Sequence, residues 1–138
     1  VVTPRSQLPR KLAPLVPRHG IYAAGGGLTS SAWRVVIDND ANTIFTGRSK
    51  QMNASSLGTM EREDKQPLTP RNKGLLSKLA DDACREPPPA TAPQPTADYD
   101  ELLIIADGDD TCLIEGYGPI HRPAAAHLIE MLRAAGGL

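Results

Sequence analysis

At 138 residues the chain is long enough for one domain with a single core, and its 40% hydrophobic share includes only one Trp, one Phe and three Tyr, so Val, Ile, Leu and Ala must build that core. A net charge of −1 gives no electrostatic reason to expect nucleic acid or an anionic membrane as partner. No apolar run approaches the roughly 20 residues of a membrane span, and no motif calls for a cofactor.

Residues 1–20 contain Pro4, Pro9, Pro14 and Pro17, a spacing that excludes a helix and favours extended backbone. They also carry Arg5, Arg10, Lys11 and Arg18 without an acid. Val1 is not Met, so the segment reads as the lead of a processed or truncated product, a tether among its uses. Residues 21–138 read as one α+β domain. Ile21 to Ala24 suggests a short strand broken by Gly25-Gly26-Gly27, whose spacing fits neither phosphate-loop motif.

A first unit follows over residues 28–85. Trp33, Val35 and Ile37 alternate with Arg34 and Val36, as in a strand. Asp38-Asn39-Asp40-Ala41-Asn42 is a turn cluster and Thr43 to Thr46 returns antiparallel. Residues 48–68 are polar, and either extend this hairpin, with Met52, Leu57 and Met60 as anchors, or stay unstructured. Thr69 and Pro70 open a helix whose stripe is Leu75, Leu76, Leu79, Ala80 and Ala83. It ends by Arg85, before Pro87-Pro88-Pro89, and residues 86–97 read as an extended linker.

The second unit spans residues 98–138. Leu102 to Ala106 is apolar on both faces, hence central in a sheet; Asp107-Gly108 signals a hairpin; Thr111 to Ile114 returns. A helix from Pro123 to Ala135 points Leu128, Ile129, Leu132 and Ala135 inward and stops at Gly136-Gly137. In both units two β-branched residues lead into Asp-x-Asp, and a closing Gly and a helix follow. The expected fold is therefore duplicated ββα units forming a four-stranded antiparallel sheet, with two helices on one face and the other face solvated or docked to a partner.

Cys84 and Cys112 have no metal-ligand spacing, and the histidines complete no metal site. They are either two buried thiols or a disulfide. The disulfide would close a loop of about 29 residues, contribute roughly 3 kcal/mol and place the chain in an oxidising compartment, periplasmic or secreted.

Few residues suggest chemistry. Asp38, Asp40 and Asn42 match the opening of a calcium loop, but Thr43 and Ser49 stand where its Gly and bidentate acid belong, so turn chemistry explains them. His121 with Glu115 and Tyr117 is the one group resembling an acid–base site. Binding is better represented. The unequal loops of the two units put Glu61, Arg62 and Glu63 in the insertion, and Asp107, Asp109, Asp110 and Tyr117 beside the second turn. Residues 93–121 hold seven acids and no Lys or Arg, a surface suited to a basic protein partner. Trp33, Tyr22, Tyr99 and Tyr117 are candidate anchors on an open sheet face. The expected function is a non-enzymatic binding protein of the bacterial envelope, of inhibitor or immunity type. The alternatives are an assembly module that lends a strand edge, or a small hydrolase or transferase using His121 and Glu115.

Overall fold

The computed structural model describes residues 2–27, 31–50, 60–90, 99–116 and 120–138. Its strands are β1 (Thr3–Pro4), β2 (His19–Gly26), β3 (Ala32–Asp38), β4 (Thr43–Ser49), β5 (Arg62–Pro67), β6 (Asp100–Asp107) and β7 (Asp110–Gly116); its helices are α1 (Pro70–Arg85) and α2 (Pro123–Ala135). The chain is α+β, but the expected four-stranded sheet of duplicated ββα units is wrong. Among the described residues one sheet of seven antiparallel strands runs β1-β7-β6-β2-β3-β4-β5. The two hairpins, β3–β4 and β6–β7, never meet. β2 lies between them and pairs along its length with both β3 and β6.

The displacement has a compositional cause. Apart from His19, Ile21 and Tyr22, β2 is made of Gly and Ala around the buried centre of the sheet, where small residues leave room for larger neighbours on both faces. The sequence marks only Ile21 to Ala24 as a short strand; weak propensity hides its full length and central place, and tertiary packing overrides that propensity. The fifth strand has the opposite disguise. Every residue of β5 is exposed and most are charged, the composition that protects a sheet edge from further pairing.

Local chemistry otherwise follows the sequence. The Asp38 carboxylate accepts from Asp40 N and Ala41 N, both at 3.0 Å, and Asn42 takes a positive φ of 53°. Gly108 does the same at 66° in the two-residue β6–β7 turn. Thr69 caps α1, accepting from Asn72 N at 3.2 Å ahead of Pro70. No side chain within α2 caps it; Glu86, just past the end of α1, supplies a carboxylate that accepts from Ala124 N at 2.8 Å.

Both helices bury their stripes on one face of the sheet. Leu76, Ala80 and Ala83 of α1 and Ala125, Leu128, Ile129 and Leu132 of α2 pack with Ile21, Val35, Ile37, Ile44, Leu103 and Ile114. Leu75, expected in the α1 stripe, is instead exposed. A disulfide joins Cys84 at the end of α1 to Cys112 in β7, with Cα atoms 6.0 Å apart, well inside the range such a bond spans.

The opposite face is not open where the lead crosses it. Residues 2–18 form a strap of short turns, in which Leu8, Leu12 and Val16 are buried against Tyr22, Ala24, Ile104 and Ala106. The strap starts by pairing β1 with β7 and by a 2.6 Å hydrogen bond from Thr111 Oγ1 to Thr3 O.

Candidate functional site

The register of the sheet lines up one row of residues on its helix face. Glu101 pairs with Gly25, Gly25 with Trp33, Trp33 with Arg48, and Arg48 with Arg62. Directly paired residues share a face and lie within side-chain reach, so these five positions form one continuous strip across four strand boundaries. It sits at the end of the sheet away from the β3–β4 and β6–β7 turns.

The left half of the strip is a hydrogen-bonded anchor. Trp33 Nε1 donates to the Tyr99 hydroxyl at 3.1 Å, and that hydroxyl donates to Glu101 Oε2 at 2.7 Å. Glu101 Oε1 accepts from Ile120 N at 2.9 Å, holding the approach to α2. Burial, and with it the hydrogen bond to the Glu101 carboxylate, pushes the Tyr99 phenol up to about 12. Gly25 makes room: a Cβ there would lie 2.5 Å from Trp33 Nε1 and 2.8 Å from the Tyr99 oxygen.

The right half is cationic. The Arg133 guanidinium of α2 lies over the Trp33 ring, 4.8 Å from its centroid, and its Nε is buried without a hydrogen-bond partner among the described residues. Between Trp33, Arg133 and the ends of β4 and β5 runs a groove of about 380 Å³, also lined by Arg48, Lys50, Arg62 and Glu61. A second groove of about 420 Å³ continues from Arg48 and Arg62 along β4 and β5 to Gly136 and Gly137. Arg48 donates to Gly137 O at 2.7 Å. None of the four cations has a carboxylate within ion-pair distance among the described residues. In the first groove four positive charges therefore stand with one acid, Glu61, beside a fixed indole, while the second groove also takes in Glu63 and Asp64.

The acidic turn lies at the other end of the sheet and faces the basic lead. Arg18 meets Asp109 at 3.3 Å, and His19 bridges Asp40 at 2.8 Å and Asp107 at 3.7 Å. Arg5 donates from its three guanidinium nitrogens to the carbonyls of Gly108, Val16 and Pro17. The exposed pairs are worth little individually, but the acids of one segment and the bases of the other sit side by side.

The residues singled out in the sequence are thus distributed. Glu61 and Arg62 line the cationic groove. Glu63 accepts from Met60 N at 3.0 Å and meets the buried Arg34 at 3.4 Å. Asp107, Asp109 and Asp110 belong to the distant turn, and Tyr117 lies outside the described residues. His121 and Glu115 are exposed and line none of these grooves, and their side chains make no hydrogen bond or ion pair among the described residues. The aromatic anchors do not gather on one open face. Tyr22 is buried under the strap, its phenol pushed up by burial and only partly offset by the Arg34 charge, while Trp33 and Tyr99 bond to each other on the helix face.

Arg48 and Arg133 escaped the sequence reading. The signal for Arg48 lies in register: a hairpin turning between Asp38 and Thr43 sets Trp33 opposite Arg48 by counting alone. Among the described residues no three His, Cys, Asp or Glu side chains come together as a metal site, and no helix is long and apolar enough to cross a membrane. Compared with protein-family models, with curated proteins and with solved structures, the chain matches none.

Proposed function

We propose that the chain is a non-enzymatic binding domain that engages a protein partner outside the cytoplasm, and that the groove at Trp33, Arg48, Arg62 and Arg133 is its contact surface. The observation that carries this reading is the groove itself: four cations that make no ion pair among the described residues, arranged around an indole held by Tyr99 and Glu101. Arg and Trp are the residue types that dominate binding energy at interfaces, and here they stand on strands and a helix, not on free loops. The Cys84–Cys112 disulfide supports an oxidising compartment. An inhibitor or immunity-type protein is the form of this reading in which occupying the partner is the whole activity.

Site-specific photo-cross-linking in the source cells tests it. A photoreactive phenylalanine analogue in place of Ser49 or Glu61 is expected to give a discrete adduct, and the same probe at Lys78 on the exposed side of α1 none. The adduct disappears when Arg62→Glu is added. Adducts of equal yield from all three positions, or none from the groove, reject the proposal.

A further inference from the structure

Resting on the reading of the groove as the partner surface, we infer that its ligand is an acidic linear segment of the partner, carrying several Asp or Glu carboxylates in extended conformation. The sequence alone admits a basic partner, through the Asp107–Asp110 turn. The charges around the groove favour the opposite sign there. The acidic turn already faces Arg5, Arg18 and His19, whereas among the described residues Arg48, Lys50, Arg62 and Arg133 make no ion pair and share their groove with one acid, Glu61.

Geometry fits the same ligand. Trp33, Arg48 and Arg62 occupy neighbouring strands, so they step across the sheet at about 5 Å intervals. An extended segment places every second side chain on one side at intervals of roughly 7 Å, a mismatch that long guanidinium arms absorb. Arg133 is held by the indole and reaches the groove with little rotamer freedom left to lose.

Other polyanions fit less well. A single-stranded nucleic acid needs a bare ring on which to stack its bases, but Trp33 is only 4% exposed and Arg133 covers its face. The net charge of −1 also opposes a long polyanion that tracks beyond the groove. An anionic membrane meets a protruding basic surface with apolar side chains to insert; this site is concave.

Trp33 is the one Trp of the chain, so its fluorescence reports on the groove without labelling. The probes are hexaglutamate with both ends blocked, hexaglutamine as the uncharged control, an oligothymidylate and vesicles containing phosphatidylserine. Hexaglutamate is expected to give a saturable change whose affinity falls at least tenfold between about 0.02 and 0.5 M salt, as the Debye length shrinks. Arg62→Glu on the exposed edge strand weakens it about fivefold or more, whereas Arg62→Lys stays within about twofold. Far-ultraviolet circular dichroism checks that both variants fold. Equal response to hexaglutamine, no response to hexaglutamate, or tighter binding of the oligonucleotide or the vesicles overturns the inference. If hexaglutamate fails while the Ser49 and Glu61 photoadducts persist, the ligand class is wrong and the partner surface stands. Loss of both removes both.

Discussion

Replacing Arg5 by Ala should loosen the strap and destabilise the whole domain, although Arg5 lies far from the helices. Its guanidinium donates to Gly108 O at 3.1 Å, Val16 O at 3.0 Å and Pro17 O at 2.7 Å, joining both ends of the strap to the β6–β7 turn. Arg5 is only partly buried, so each bond deserves about 1 kcal/mol and not the larger figure for fully buried charge-assisted bonds. Subtracting roughly 1 kcal/mol for freezing a long side chain leaves a net loss of about 2 kcal/mol. For a domain of this length that lowers Tm by about 5 to 10 °C. Arg5→Lys should recover less than half, because one ammonium cannot serve three carbonyls in a planar fork. Arg10, which is exposed and makes no such bonds, is the control. Urea unfolding followed by Trp33 fluorescence gives the global loss, and hydrogen exchange at Leu8, Leu12 and Val16 shows whether the strap opens first. If Arg5→Ala falls within about 0.5 kcal/mol of Arg10→Ala, the strap is decoration and its place in the core account fails.

Four further outcomes follow from the same structure. Cys84→Ser with Cys112→Ser should cost roughly 3 kcal/mol in denaturant, with reducing agent producing the same loss in the parent chain; the two losses should coincide. Gly25→Ala should cost about 1 to 3 kcal/mol by driving a methyl into Trp33 and Tyr99, and the Trp33 emission should shift with it. Gly74→Ala has the opposite sign, gaining up to about 1 kcal/mol, because nothing lies near its Cβ position in an exposed helical site. The Tyr99 phenol ionises at about 12 in the folded state against an ordinary value of 10.0, so the folded chain holds this proton longer than the unfolded chain. Its contribution is complete below pH 10 and is lost between about pH 10 and 12. Stability measured across that window should fall less steeply in Tyr99→Phe than in the parent; parallel curves would contradict the assignment.

The hairpins, both helix starts and the apolar stripe of α2 were legible because turn chemistry, capping and helical spacing are local. Asp38, Gly108, Thr69 and Leu128 each announce their geometry within a few residues. The central strand was legible only as the short segment Ile21 to Ala24; its extension to His19–Gly26 and its place between the hairpins were not, since Gly20, Ala23, Ala24 and Gly25 lack the bulk that marks a strand. The strap was hidden by its prolines. Leu8, Leu12 and Val16 recur at intervals of four, but Pro9 and Pro14 break the helix such spacing normally means, and short turns present the same side chains instead. At the groove, Arg62 and Glu61 were visible as charged insertion residues. Arg133 was not, because its role depends on where α2 crosses the sheet.

The most direct measurement is backbone and indole chemical-shift mapping of the isotope-labelled chain titrated with blocked hexaglutamate. The account predicts salt-sensitive shifts at the Trp33 indole N–H, Arg48 to Lys50, Arg62 and Arg133 to Gly137, with the Asp107–Asp110 turn and the strap silent. Shifts centred on that turn or on Arg10 and Lys11, with the groove unmoved, would contradict it.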